Sequence, residues 1–156
     1  MSSPVLIGID LGTSKIVALA VESAEGEIIA RCSCANNSEV TNAADRARGR
    51  SEWDAKGIVA AASQCLGDLA ERLGPRVADV VGIGVTGQQH GMLLVDHACE
   101  PCTPLINWQD RRGLESRAGE GQTYLEFARQ QLGEAATLRA GCRLQSGFMA
   151  LTLMWL

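Results

Sequence analysis

Residues 5–9 (VLIGI) form a short β-branched apolar run and predict a buried strand. A small turn, Asp10-Leu11-Gly12-Thr13-Ser14, leads to a second strand over 16–21, and Glu25-Gly26 leads to a third over 27–33. Strands joined by so few residues pair antiparallel, because parallel pairing needs a long crossover. Residues 35–52 are polar, rich in Asn, Ser and Arg, and predict a loop. Asp54 is placed to cap a helix whose apolar positions Ile58, Ala62, Cys65, Leu66, Leu69 and Leu73 recur three or four apart. Gly74-Pro75 ends that helix, and 79–85 predict a glycine-rich strand. The helix then acts as a right-handed crossover, setting this strand parallel to the first.

Beyond residue 85 the pattern becomes more broken. A polar loop, Thr86-Gly87-Gln88-Gln89-His90-Gly91, precedes a short strand over 92–95, a turn over 96–101 and a second short strand over 105–108. Residues 109–112 are expected to start a helical segment, and 122–132 a helix with Leu125, Ala128 and Leu132 on one face. The last ten residues, GFMALTLMWL, are apolar and helix-compatible, with no stop signal. A helix ending on Met-Trp-Leu leaves four carbonyls without partners, so a truncated chain is the expectation. Three meander strands, a crossover helix and a parallel strand resemble the opening of the ribonuclease-H-like α/β fold. Actin, heat-shock chaperones and sugar kinases share that fold.

The composition of the 156 residues narrows the function classes. They are 46% hydrophobic and 21% charged, with a net charge of -4, which argues against nucleic acid as the main partner. Arg46, Arg48 and Arg50 do cluster, in the polar stretch read as a solvated loop. The N-terminus lacks a basic region and its apolar run is broken by Gly8 and Asp10, unlike a secretory signal. No run reaches the roughly 18 apolar residues of a membrane span. A cytoplasmic protein without membrane or nucleic-acid partners is the expectation, and the six cysteines are then free thiols, with Cys65 in the core. His97, Cys99 and Cys102 offer a rival metal-binding reading, weakened because both cysteines fall in a predicted turn.

Three groups of residues could carry chemistry. Asp10 stands at the end of a strand, beside small residues that let backbone N–H groups and the Thr13 and Ser14 hydroxyls approach a phosphate. A carboxylate there suits Mg²⁺ on a nucleotide, since Mg²⁺ prefers oxygen ligands. A hairpin turn with an Asx hydrogen bond is the plainer reading of the same residues. Gln88, Gln89 and His90 follow a buried strand, where α/β folds place ligands, and can exchange hydrogen bonds with hydroxyls. In Trp108-Gln109-Asp110-Arg111-Arg112, an aromatic face suited to a sugar's C–H surface is set beside polar groups. Taken alone, each of the last two also reads as an ordinary loop or core segment.

Taken together, GIDLGTS, GQQHG and WQDRR occur in the order and spacing of the FGGY carbohydrate kinases. The chain is similar to xylulokinases and more closely to sedoheptulokinases; SEWD and SGFMALTLMWL extend the resemblance over essentially its whole length. The resemblance implies residues 1–156 as part of the family's first, sugar-binding domain, without the ATP-binding second domain. It implies Mg²⁺ and ATP as cofactors and a ketose as substrate, phosphorylated at a primary hydroxyl. By the same resemblance Asp10 lies near the Mg²⁺ and the transferred phosphate, and Gly12, Thr13, Ser14 and Lys15 form the phosphate turn. Gln89, His90, Trp108, Asp110 and Arg112 fall at sugar-side positions. The family's catalytic base, an Asp, lies beyond residue 156, so the segment alone is expected to be inactive. A homodimer is left open. Two departures stand out: the basic residue Lys15 precedes Ile16-Val17 rather than following a small and an apolar residue, and Gln89 replaces Met or Arg. GTSKIVAL also resembles actin-like division proteins, so the alternative is an actin-like ATPase scaffold without a sugar substrate.

Overall fold

The computed structural model describes residues 3–119 and 121–156, which form two compact units. The first comprises residues up to Ser38 together with Ala55–Gln88. Its strands β1 (Val5–Leu11), β2 (Lys15–Glu22), β3 (Ile28–Ala35) and β5 (Val80–Gly87) form one sheet in the order β3-β2-β1-β5. The β1–β2 and β2–β3 pairs are antiparallel and β1–β5 is parallel, so the expected β-β-β-α-β unit is present. The crossover helix α2 (Ala55–Leu73) buries Ile58, Cys65, Leu69 and Leu73, four of the positions its periodicity marked. Gly74, at φ +55°, ends it, and a 3₁₀ turn over Gly74–Asp79 delivers the chain to β5.

Strand alternation sorts the residues of this sheet by face. Ile9 pairs with Ala18 and Leu11 with Ile16; Ile9, Ile16, Ala18 and Ala20 are buried. Cys65, buried on α2, donates its thiol to the Ile16 carbonyl at 4.0 Å, placing the helix over that face. Burial pushes the Cys65 thiol pKa up, consistent with an inert core cysteine. Asp10 and Val17 pair across β1 and β2 on the opposite face, where Asp10 is exposed. The carboxylate therefore avoids the desolvation cost expected of a buried strand end.

The second unit, Glu39–Asp54 with Gln89–Leu156, has little sheet. The polar stretch read as one loop contains a short helix α1 (Ala43–Ala47), capped by Asn42, and a strand β4 (Glu52–Trp53) paired antiparallel with β6 (Leu105–Ile106). Residues 92–95 make single bridges, Met92 to Ile106 and Val95 to Pro101, in place of the expected strand. Helix α3 (Tyr124–Ala140) starts at a capping box formed by Thr123 and Glu126 and runs past the expected limit. It kinks at Gly133, and Leu132 is exposed, while Leu125 and Ala128 pack with Leu151 of α4 (Met149–Trp155).

Ion pairs link the irregular parts of this unit. Arg50, expected to be solvated, donates to both Glu115 oxygens, at 2.9 and 3.1 Å, and to Asp45 at 3.2 Å. Glu115 also accepts from the Trp155 indole at 2.8 Å, and the Arg50 and Arg112 guanidinium carbons each lie 4.8 Å from the Trp155 ring centroid. The apolar, helix-compatible last segment thus holds its tryptophan close to two cations, while Leu153, Met154 and Leu156 are exposed.

Candidate functional site

The Gly12-Thr13-Ser14 turn joins β1 to β2 in the first unit. A Cβ on Gly12 would lie 2.6 Å from the Lys15 carbonyl oxygen, so the turn closes only around glycine. Asn36, buried just past the end of β3, braces it: its side-chain amide donates to the Gly12 carbonyl at 3.0 Å and its backbone N–H to the Ser14 carbonyl at 3.0 Å. No local pattern singles out Asn36, because its partners are backbone groups more than twenty residues away. Lys15 opens β2 in an exposed position two residues from Val17, which places it on the Asp10 face. The unit therefore presents a carboxylate, a tight polar turn and an ammonium group together. That combination can hold a metal-bound polyphosphate: Asp10 is an oxygen ligand open to solvent, and Lys15 is exposed on the same face.

The second unit carries a cavity of ≈ 500 Å³ walled by His90, Trp108, Phe148 and Arg111, with Gln109, Gln145 and Ser146 as polar groups. His90 lies in left-handed backbone at φ 62°, an uncommon conformation for a residue with a side chain. Its ring stacks on Phe148, with centroids 4.1 Å apart and planes 10° from parallel. Gly147 precedes Phe148, and a Cβ there would overlap the Trp108 carbonyl oxygen, so the two segments meet backbone to backbone. Trp108 is half exposed. Its loop is built by Asn107, fully buried, whose side-chain oxygen accepts from the Gln109 N–H at 3.0 Å.

Asp110 and Arg112 are buried and are not among the residues that line this cavity. Asp110 is 1% exposed; its carboxylate accepts from the Ser51 and Arg112 backbone N–H groups, both at 2.8 Å, and from the Arg112 guanidinium at 2.8 and 2.9 Å. Arg112 also donates to Glu52 at 2.7 Å, tying the WQDRR run to β4. Burial opposes the Arg112 charge, yet hydrogen bonds to Asp110 and Glu52 outweigh it and hold the pKa above its ordinary value. Among the expected sugar-side residues, His90 and Trp108 share the cavity; Asp110, Arg112 and the exposed Gln89 are not among its lining residues. Phe148 was not selected from sequence, and Arg111 only as a member of the WQDRR run, without a role of its own. Phe148 lies in a segment whose apolar pattern signals only a helix, and Arg111 is an arginine beside another arginine.

The domain described as the N-terminal domain of the FGGY family of carbohydrate kinases matches residues 5–156. An apulose kinase from Pectobacterium atrosepticum is 37% identical over 117 residues, covering 72% of this chain and 21% of that protein. Human sedoheptulokinase is 30% identical over 175 residues, covering 98% of this chain and 33% of that protein. A solved structure described as a xyloylose kinase from Brucella ovis superposes with a TM-score of 0.75 at 25% identity, over 97% of this chain and 28% of its own. A gluconate kinase from Lactobacillus acidophilus shares the fold at 20% identity, with a TM-score of 0.77. The chain thus spans about a fifth to a third of the relatives it matches. The family match over nearly every residue, with the sheet topology and the motifs in order, shows that the chain belongs to the FGGY family of carbohydrate kinases.

Proposed function

We propose that the protein carrying this chain is an ATP-dependent carbohydrate kinase that phosphorylates a ketose at a primary hydroxyl. The observation that carries the reading is the cavity in which His90, held in left-handed backbone and stacked on Phe148, shares a wall with the half-exposed Trp108. Aromatic faces suit the C–H surface of a sugar, while Gln109, Gln145 and Ser146 can exchange hydrogen bonds with its hydroxyls. Relatives named for apulose, sedoheptulose and xylulose support a ketose as the substrate class.

In the proposed reaction the sugar hydroxyl oxygen forms a bond to the γ-phosphorus of ATP, the bond to the β-phosphate oxygen breaks, and ADP leaves. Mg²⁺ would neutralise charge on the phosphates, with Asp10 as its carboxylate neighbour. Gly12, Thr13, Ser14 and Lys15 would bind phosphate oxygens through backbone N–H groups, hydroxyls and an ammonium. His90 and Trp108 would orient the sugar, and excluding water around it favours transfer to the sugar over hydrolysis. No carboxylate lines the cavity among the described residues. By the family resemblance, the hydroxyl proton is assigned to an aspartate outside residues 1–156. No described helix is long and apolar enough to cross a membrane.

The test is ATP consumption by the complete protein across a panel of ketoses, aldoses and polyols. Turnover with a ketose, weakened by His90→Ala and Trp108→Ala, is the expected result. Tight ATP binding without turnover of any sugar would replace this reading with an actin-like nucleotide-binding scaffold.

A further inference from the structure

The two adjacent arginines of WQDRR differ in every physical respect. Arg112 is 2% exposed and its guanidinium is fully engaged by Asp110 and Glu52. Arg111 is exposed, lies in the wall of the His90–Trp108 cavity, and its guanidinium has no hydrogen-bond or ion-pair partner among the described residues. The arginines of the polar stretch before α2 are also engaged: Arg46 with Glu39 at 3.1 Å, Arg48 with Asp45 at 3.8 Å and Arg50 with Glu115.

The stem of Arg111 is nonetheless fixed. Its backbone N–H donates to the Gly49 carbonyl at 2.9 Å. A Cβ added at Gly49 would lie 3.1, 3.2 and 3.4 Å from the Arg111 Cβ, Cδ and Cγ. Gly49 has φ +82°, so glycine serves there both for its backbone and for the space above it. The side chain runs over this bare backbone, with its aliphatic part held and its charged fork left for a ligand.

Resting on the ketose-kinase reading, we propose that Arg111 is the substrate-reading arginine of this site, that Gly49 positions it, and that Arg112 serves the scaffold. A guanidinium presents parallel N–H donors, which match two adjacent oxygen atoms such as a vicinal diol of the sugar. The contact serves binding rather than the chemical step, so it acts on KM more than on kcat.

The experiment compares ketose kinetics and thermal melting of the complete wild-type protein, Arg111→Met, Arg111→Lys, Gly49→Ala and the Gly49→Ala/Arg111→Met double variant. Expected is a rise in KM of about 10- to 100-fold for Arg111→Met, with kcat within about threefold and the melting temperature unchanged. Arg111→Lys recovers part of the loss. Gly49→Ala raises KM in the wild-type background and has little further effect once Arg111 is Met, which marks positioning rather than general damage. Wild-type turnover with Arg111→Met within about twofold of its KM would overturn the inference alone. A wild type that neither binds nor phosphorylates any ketose would overturn the kinase reading, and this inference with it.

Discussion

The sheet unit and the loop-rich unit of this chain are held together by different physics. In the first, backbone ladders connect β3, β2, β1 and β5, and α2 covers one face with Cys65 and Leu69, both fully buried. In the second, the strand pair formed among the described residues is two residues long on each side, and the buried set includes Asn107, Asp110, Arg112 and Thr152. Apolar burial is non-directional and tolerates repacking. A buried ion pair tolerates little, because removing one partner leaves an uncompensated charge. The unit with the candidate sugar cavity is thus the one whose geometry depends on individual hydrogen bonds.

The largest expected effect tests this contrast at its tightest point. Gly147→Val would drive a side chain into the Trp108 carbonyl, a contact that no rotamer relieves. Sugar binding should fall by on the order of 100-fold or more, with a marked drop in melting temperature, because the segments that carry Trp108 and Phe148 can no longer meet. Sugar affinity near wild type would show that the cavity does not depend on that approach. Next in size is Arg112→Met, expected to cost about 3–5 kcal/mol in urea denaturation by stranding Asp110. An Asp110→Leu/Arg112→Met pair should recover much of that loss. If the double variant is as unstable as the sum of the single ones, the pair is not the coupled element described here.

Leu69→Ala probes the other unit. A fully buried leucine on α2 should lose about 2–4 kcal/mol through lost transfer energy and the cavity left behind. Its ketose KM should change less than that of Gly147→Val, since the substitution acts on stability rather than on the cavity wall. A KM change as large as that of Gly147→Val would erase the distinction between the units.

The same contrast explains what could be read from the sequence. Strands β1 to β3 and helix α2 were legible because their burial follows periods of two and 3.6, which side-chain type reports directly; β5 was legible only as an apolar run, and the expected buried strand instead leaves Val81, Ile83 and Val85 exposed. The second unit was legible only in its motifs. His90 and Trp108 could be selected by chemistry, but Arg50, Glu115 and Trp155 are joined by pairings 65 and 40 residues apart that no local pattern encodes. The polar stretch before α2 resembled a solvated loop because Arg50 carries the same composition whether it faces water or Glu115. The exposed Leu132 departs from its helical pattern because Gly133, at φ 69°, breaks the helix beside it.

A pH series isolates the Arg50–Glu115 link. Hydrogen bonding from Arg50, with a further contribution from the Trp155 indole, holds the Glu115 carboxyl below the usual carboxylate range. A depressed folded pKa stabilises the protein above the unfolded value, near ~4.3, and the contribution is lost as pH falls through the folded pKa. Glu115→Gln should therefore be less stable than wild type at pH 7, on the order of 1–2 kcal/mol. The two should converge as the pH falls below the unfolded carboxylate value and through the lower folded one. Urea midpoints recorded along that series decide the matter: a gap that stays constant would mean that Glu115 acts through packing rather than charge.

The smallest expected effect concerns the start of α3. The Thr123 hydroxyl accepts from the Glu126 N–H at 3.1 Å, and the Glu126 carboxylate accepts from the Thr123 N–H at 2.7 Å. This box is local and exposed, so it satisfies helix-end donors without bearing on the cavity. Thr123→Ala should lower the melting temperature by a few degrees and leave ketose KM within about twofold of wild type. Thr123→Ser, which keeps the hydroxyl, should restore most of the loss. Because α3 packs through Leu125 and Ala128 onto Leu151, three residues after Phe148, a larger KM change would mean that strain at this helix start reaches the aromatic stack. The loop-rich unit would then respond as one cooperative body rather than as a set of separately braced loops.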